Sequence, residues 1–111
     1  MKQRYCLTLD LKDDPELIAE YRRYHREVWP EVIASLKSAG IEQAEIYLLG
    51  TRMCMILDVN ESFSWEKKHA ADRENPIVQR WESLMWRFQQ QLPKTKPGEK
   101  WLLMERIFKL E

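Results

Sequence analysis

The segment YRRYHREVWP, from Tyr21 to Pro30, concentrates the side chains that could do chemistry. It contains two tyrosines, a tryptophan and His25, one of only two histidines in the sequence. Histidine can donate or accept a proton near neutral pH, so it suits general acid–base catalysis. On a continuous helix His25 shares one side with Tyr21 and Trp29, which lie four residues away in either direction. The spacing suggests proton transfer beside aromatic rings. A boundary histidine that bonds a backbone group is the alternative.

The other histidine and the remaining tryptophans give weaker signals. His69 ends the charged run that begins at Glu66, so we predict a solvated surface side chain. Five tryptophans are many for 111 residues. Core packing explains most of them, but an aromatic ring can also pack against the apolar C–H face of a sugar. Trp65 and Trp81 are candidates for that role.

Familiar cofactor and nucleophile motifs do not occur in the sequence. The three glycines stand apart, so no glycine-rich phosphate loop can form, and neither G-x-S-x-G, C-x-x-C nor H-E-x-x-H is found. Two isolated histidines and two distant cysteines make a zinc site improbable. We therefore expect no metal and no cofactor, and an enzyme of this kind would work by proton transfer alone.

Composition limits the classes of partner. A length of 111 residues predicts one domain spanning 1–111. Eighteen basic and eighteen acidic residues cancel, which argues against nucleic acid and acidic membranes as partners. No apolar run reaches transmembrane length, and the N-terminus does not resemble a signal peptide. Cys6 and Cys54 are predicted to act as small hydrophobic residues in strands, which suits the cytoplasm.

The elements that must position His25 follow from periodicity and capping. Residues 5–11 alternate as a half-buried strand, and Asp14 followed by Pro15 predicts a helix start. Pro30 must end or kink that helix, giving one kinked helix or two consecutive ones, before Gly40 stops it. Strands are predicted at 44–49 and 53–59, helices at 64–71 and from Asn75, a loop at 93–98 and a last strand at 101–110.

This order predicts an α+β, ferredoxin-like split βαβ fold with an antiparallel sheet and helices on one face. The strands at 53–59 and 101–110 carry apolar residues on both faces, so both faces should be covered. Helices cover one face. We expect the sheet of a second subunit to cover the other, in a dimeric α/β-barrel type of homodimer.

Three stretches of the chain resemble the L-rhamnose mutarotase family. The first runs from Glu20-Tyr21 through His25 and Trp29-Pro30-Glu31 to Gly40, and its pattern E-Y-x-x-x-H-x-x-x-W-P-E is fairly specific. The other two, Ile46-Tyr47-Leu48 and Gln79-Arg80-Trp81, are short. The resemblance runs in matching order from the first strand to the last.

The resemblance implies a dimeric ferredoxin-like enzyme that interconverts the α and β anomers of deoxy sugars without a cofactor. The proton-donor histidine of the family falls on His25 and its substrate tyrosine on Tyr21, and its sugar-contacting aromatic pair begins at Trp81. We also assign Tyr47 and Trp29, which lie in the matching stretches, to the substrate-binding set.

Two departures from the family pattern bear on the sugar. The second tryptophan of the pair is replaced by Glu82, and a substrate-contacting tyrosine is replaced by Ala44. We expect the same reaction on a different sugar and rank L-fucose slightly above L-rhamnose. The alternatives are a dimeric ferredoxin-like protein that binds haem or an aromatic ligand, including a cofactor-free monooxygenase, and a non-catalytic dimerisation module.

Overall fold

The computed structural model describes residues 3–97 and 99–110 of the chain. The elements follow one another as β1 Gln3–Leu11, α1 Pro15–Tyr24, α2 Pro30–Ser38, β2 Ile41–Leu49, β3 Arg52–Val59, α3 Trp65–Glu74, α4 Pro76–Trp86, β4 Gln89–Gln90 and β5 Leu102–Leu103. The sheet order is β2-β3-β1-β4, with β5 also paired to β1, and all pairs are antiparallel. This is the predicted ferredoxin-like arrangement, with its fourth strand divided in two.

Helix boundaries follow the capping residues. Asp14 Oδ1 accepts hydrogen bonds from the backbone N–H groups of Glu16 and Leu17, at 2.9 and 3.2 Å, and Pro15 opens α1. Because α1 ends at Tyr24 and α2 begins at Pro30, the segment forms two helices rather than one kinked helix. His25 is the C-terminal cap residue of α1, where the chain leaves the helix.

Gly40 ends the α2 segment for a steric reason. Its φ is +97°, in the left-handed region that favours glycine. A Cβ at this position would lie 2.6 Å from Asn60 Oδ1, which is too close for any other residue without rearrangement. The predicted stop is confirmed.

The core lies between the helices and the inner face of the sheet. On β1 the alternate residues Leu7, Leu9 and Leu11 are buried, and in the register of β3 they lie beside Met53 and Leu57. The helices contribute further buried side chains, among them Tyr21, Val32, Val78, Trp81 and Met85. Helices therefore cover the inner face, as the alternation predicted.

The outer face of the sheet is apolar at its centre and charged at two ends. We call this surface the open face; its central side chains belong to Cys6, Thr8, Cys54, Ile56, Leu102 and Met104. An Arg4–Asp58 pair, with N–O distances of 2.7 and 3.0 Å, closes one end, and an Arg52–Asp10 pair closes the other. The two cysteines are free thiols in strands, as predicted, and their Sγ atoms lie 3.0 Å apart.

The prediction of a last strand over residues 101–110 was wrong in its extent. The ladder with β1 contains only Leu102 and Leu103, followed by a bond from the Met104 N–H to the Cys6 carbonyl. Ile107, Phe108 and Leu110 are between 75% and 89% exposed. Alternation reports which side chains favour burial, but a strand also needs a partner, and in this segment the described chain provides none.

Smaller differences concern the other elements. α3 continues past residue 71 to Glu74, because Asn75 caps α4 only one residue later; its Oδ1 accepts from the Ile77 and Val78 N–H groups. The strand β2 begins earlier than predicted, at Ile41. The hairpin turn itself is Gly50-Thr51. Of the predicted loop at 93–98, Gly98 lies outside the described residues.

Candidate active site

A cavity of about 780 Å³ separates part of the helix layer from the inner face of the sheet. Leu7, Met55 and Leu57 form its floor on the sheet, and His25 and Trp81 contribute to its wall from the helices. Cavities of this size are typical of small-molecule sites, which are mostly apolar with a few convergent polar groups. A monosaccharide is within that range.

His25 reaches this cavity from the end of α1 with its tautomer defined. Its Nδ1 lies 2.9 Å from the carbonyl oxygen of Tyr21, one helical turn earlier. A carbonyl can only accept, so Nδ1 carries the proton and Nε2 keeps a free lone pair. Burial lowers the pKa of His25, and the bond to the Tyr21 carbonyl opposes that effect. The ring is therefore neutral at pH 7, with a basic nitrogen available. The backbone bond that the structural alternative predicted for His25 is present.

Aromatic rings enclose the imidazole on two sides. The Tyr21 ring lies 4.3 Å from it between centroids, and the Trp81 ring lies 5.6 Å away at 66°. Trp29 contacts Trp81 from behind, at 5.1 Å and 70°. Trp29 is not among the residues that line the cavity, and it packs on Trp81.

Tyr21 is buried, but its hydroxyl has a polar neighbour. Its side chain is only 5% exposed, and burial raises the pKa of the phenol to about 12. Gln89 Nε2 donates a hydrogen bond to the Tyr21 oxygen at 3.3 Å, which partly opposes that rise. Tyr21 therefore stays protonated at any physiological pH and can act only as a neutral hydrogen-bonding group.

A second polar group in the wall comes from α3, and sequence reasoning missed it. Lys68 Nζ lies 2.6 Å from Asp72 Oδ2, and both side chains are almost buried, at 13% and 12% exposure. Ser35 Oγ donates to the same carboxylate at 3.4 Å. The i,i+4 spacing could have suggested the pair, but only the packing of α3 on α2 and α4 reveals that it borders the cavity.

The cavity wall also includes His69, predicted to be a surface residue, and Trp65, a candidate for packing against a sugar. His69 is exposed, as predicted, and its ring lies 5.9 Å from that of Trp65. Trp65 lines the cavity, and its Nε1 has no hydrogen-bond partner among the described residues.

Both departures from the family pattern lie in the cavity wall. Ala44 contributes from β2 and Glu82 from α4. Lys100 joins them: its Nζ donates to the Glu82 carbonyl oxygen at 3.0 Å and lies 4.7 Å above the Trp86 ring. Burial lowers the pKa of Lys100, and the Glu82 carboxylate opposes that shift. Where the family has two large aromatic groups, this wall has a methyl group and the charged residue Glu82, with the Lys100 ammonium nearby.

Tyr47 is not brought to this cavity. In the register of β2 with β3 it lies opposite Cys54, on the outer face of the sheet, and it is 55% exposed. Its hydroxyl donates to Glu45 Oε2 at 3.0 Å. Successive residues of a strand alternate between faces, so Ile46 lines the cavity while Tyr47 points away from it. The geometry of the described chain gives its substrate-binding assignment no support.

The described residues contain neither a metal-binding cluster nor a membrane-spanning helix. Among residues 3–97 and 99–110, no group of three or more histidine, cysteine, aspartate or glutamate side chains is arranged to hold a metal ion. Within the same ranges no helix is both long enough and apolar enough to cross a membrane.

Comparison with known proteins defines the class. The family model described as L-rhamnose mutarotase matches residues 4–110. A curated L-fucose mutarotase of Xanthomonas campestris is 53% identical over 110 residues, covering 97% of this chain and 88% of that protein. A curated L-rhamnose mutarotase of Mesorhizobium japonicum is 31% identical over 86 residues, covering 73% of each.

A solved structure agrees on the fold. The crystal structure of an L-rhamnose mutarotase from Formosa agariphila superposes with a TM-score of 0.72, covering 98% of this chain and 99% of that one at 21% identity. Fold and site together define a small carbohydrate isomerase that acts at the anomeric carbon. The chain belongs to the L-rhamnose mutarotase family. These findings do not favour the haem-binding or monooxygenase alternative.

Proposed function

We propose that this mutarotase interconverts the α and β anomers of a 6-deoxyhexose by acid–base ring opening, with L-fucose as the preferred sugar over L-rhamnose. The observation that carries the proposal is the state of His25. It is neutral, holds its Nδ1 proton against a backbone carbonyl, and borders a cavity of monosaccharide size with Nε2 free.

One nitrogen can serve both proton transfers. Nε2 of His25 first accepts the proton of the anomeric hydroxyl, and the imidazolium then donates that proton to the ring oxygen. The C1–O5 bond breaks as the C1–O1 bond becomes a carbonyl, and the open-chain aldehyde rotates about C1–C2. Closure on the other face reverses both transfers. Both oxygens are attached to C1, so a small movement of the sugar brings each to the same nitrogen. General acid–base help of this kind is worth about 10²–10⁴ in rate.

The other proposed site residues bind and orient the sugar. Tyr21 contributes a neutral hydroxyl beside His25, and Trp81 contributes an apolar ring against the C–H face of the sugar. Trp29 acts through Trp81, on which it packs. Tyr47 remains in the set only on the resemblance of its segment, because its side chain lies on the other face of the sheet.

The sugar preference rests on the cavity wall and on a relative. L-fucose and L-rhamnose share the 6-methyl group and differ in hydroxyl orientation at C2 and C4. Ala44 and Glu82 replace two aromatic contacts of the family in the wall itself, so the hydroxyl pattern that the wall accepts must change. The Xanthomonas relative, at 53% identity, is named an L-fucose mutarotase.

Saturation-transfer NMR tests the proposal directly. Irradiating one anomeric proton and observing the other measures exchange at equilibrium, and the spontaneous rate of a protein-free sample is subtracted. We expect faster exchange with L-fucose than with L-rhamnose. The opposite ranking would overturn the sugar assignment, and no acceleration across a panel of pyranoses would overturn the activity.

We also propose that the chain, as one domain, assembles into a homodimer through the open face. The centre of the open face is apolar, and an ion pair lies at each of two ends. An apolar centre with a polar rim is typical of a protein–protein interface. The exposed apolar residues of the last segment, including Phe108 at 75% and Leu110 at 83%, favour the same interpretation. We also propose a cytoplasmic location, which rests on the cysteine usage of the sequence.

A further inference from the structure

Gln89 is a buried polar residue that no resemblance pointed to. It lies just after α4, in β4, where its Cα pairs with Leu11 and its side chain faces the inner side of the sheet. The residue is 4% exposed and belongs to the wall of the cavity that also contains His25 and Tyr21. Its position therefore combines two properties, namely burial in the core and contact with the site.

Only one end of the Gln89 amide makes a hydrogen bond. Nε2 donates to the Tyr21 hydroxyl oxygen at 3.3 Å, while Oε1 is buried with no partner among the described residues. An unpaired buried carbonyl costs stability, and an apolar side chain of the same shape would avoid that cost. The reverse amide orientation would leave Nε2 unpaired instead and direct the Tyr21 proton at Oε1, so the same cost remains; the orientation in the structure is the one that leaves the Tyr21 proton free. Stability alone does not account for a glutamine here.

The single bond that Gln89 makes fixes the direction of the Tyr21 hydroxyl. A phenolic oxygen that accepts from Nε2 must direct its own proton elsewhere, and Tyr21 borders the cavity. Without that bond the hydroxyl could rotate in its aromatic plane and present either a lone pair or a proton to a bound sugar. A fixed donor beside the base is the preorganisation that acid–base catalysis uses.

We propose that Gln89 is a positioning residue, which holds the Tyr21 hydroxyl so that its proton faces the sugar beside His25. The inference rests on the proposed mutarotase function and deepens it, since it assigns a role to a residue that acts on the sugar only through Tyr21.

A double-mutant cycle with a stability measurement tests this role. The variants are Gln89→Met, Tyr21→Phe and the double variant, with Gln90→Met as the control. Gln90 is the exposed neighbour on the same strand, paired with Asp10 and facing the other side. Anomer exchange of L-fucose is measured by saturation transfer, and thermal unfolding is recorded for every variant.

We expect Gln89→Met to lower kcat/KM by up to about fivefold, which is no more than the loss expected when the Tyr21 hydroxyl itself is removed, while its Tm equals or exceeds that of the wild type. In the Tyr21→Phe background the same substitution should have no further effect, because the hydroxyl through which Gln89 acts is gone. Gln90→Met should change neither quantity.

Three results would overturn the proposal. Unchanged exchange in Gln89→Met would show that the hydroxyl needs no positioning. An equal loss in both backgrounds would mean that Gln89 acts on the sugar without Tyr21. A loss of activity that follows a lowered Tm would make Gln89 a purely structural residue. Absence of exchange in the wild type is a separate outcome, since it would overturn the proposed function itself.

Discussion

The two faces of the sheet carry similar apolar residues but differ in how deeply those residues are buried. On the inner face Leu9 is 0% and Met53 is 1% exposed, and the polar groups that remain border a cavity. On the outer face Cys6, Cys54 and Ile56 are only half-buried, and no element among the described residues covers them. Both faces are apolar, but within the described chain helices pack on only one of them.

This difference separates chemistry from assembly. The base, its neighbouring hydroxyl and the aromatic wall all belong to the inner side. The open face contributes none of these groups and has the composition of an interface. A substitution on the inner face should therefore lower anomer exchange and leave the proposed dimer intact, and a substitution on the open face should do the reverse.

The largest effect should come from His25 on the inner side. His25→Ala removes the only group that we assign to proton transfer, so exchange should fall by about 10²-fold or more. The side chain is only half-buried at a helix end, so its truncation should leave the fold and the dimer intact.

Exchange by saturation transfer and mass by sedimentation measure the two outcomes of His25→Ala side by side. Unchanged exchange, or loss of the folded state, would leave His25 with only its structural role at the end of α1. That result would also break the separation of the faces, because the inner side would then have no assigned base.

The next effect concerns the open face. Sedimentation of the wild type should give about twice the 13.5 kDa chain mass. Ile56→Lys places a charge at the centre of the apolar patch and should shift the mass toward one chain. Ala19→Lys adds the same charge on the exposed side of α1 and should leave the mass unchanged.

The rate of anomer exchange per chain in Ile56→Lys tests whether catalysis depends on the open face. Because His25, Tyr21 and Trp81 lie on the side of the sheet opposite to Ile56, the separated chain should still accelerate anomer exchange. A monomeric wild type would refute the interface, and a monomeric variant without exchange would show that the faces are coupled.

The parts of the fold and of the site that could be predicted from the sequence are those set by interactions between residues close together in the chain. Local signals were sufficient for Asp14-Pro15, Gly40 and Asn75-Pro76, where capping and φ preferences act within a few residues. They were sufficient for the helix that carries His25, because a single turn places Tyr21 and its carbonyl beside the imidazole.

Non-local signals could not be read in the same way. Gln89 follows a helix and precedes a loop, and only its pairing with Leu11 shows that it faces the core. The extent of the last strand depends on partners that alternation cannot supply, and Tyr47 was assigned without the register that puts it on the outer face. These features depend on strand pairing, which joins distant parts of the chain.

The pH dependence of exchange should be a smaller effect with a defined sign. Burial holds the pKa of His25 below its ordinary value of 6.5, so the neutral base persists at pH 7 and kcat/KM should fall only as pH decreases below 6.5. Between the pKa of His25 in the folded protein and 6.5, the unfolded chain binds more protons at His25 than the folded chain does. The stability that neutral His25 contributes is therefore present above pH 6.5 and is lost as the pH falls toward the pKa of the folded state.

Exchange measured between pH 4.5 and 8 checks that sign, with His25→Ala measured at each pH to remove acid- and base-catalysed background. The His25→Ala variant should not show the decrease in exchange below pH 6.5. A midpoint above 6.5 in the wild type would mean that the active form is the imidazolium or that another group titrates.

The smallest expected change comes from the hydroxyl beside the base. Tyr21→Phe keeps the ring that packs 4.3 Å from His25 and removes one hydrogen bond, which is worth about 1 kcal/mol or roughly a fivefold loss in kcat/KM. His69→Ala is the matched control, because His69 is the other histidine near the cavity but is exposed at its rim, and it should leave exchange unchanged. Kinetics of both variants with L-fucose measure the difference. A loss in His69→Ala equal to that of His25→Ala would show that His25 is not the only histidine that the reaction needs. A loss in Tyr21→Phe as large as that of His25→Ala would show that the reaction depends on the phenol as much as on the imidazole.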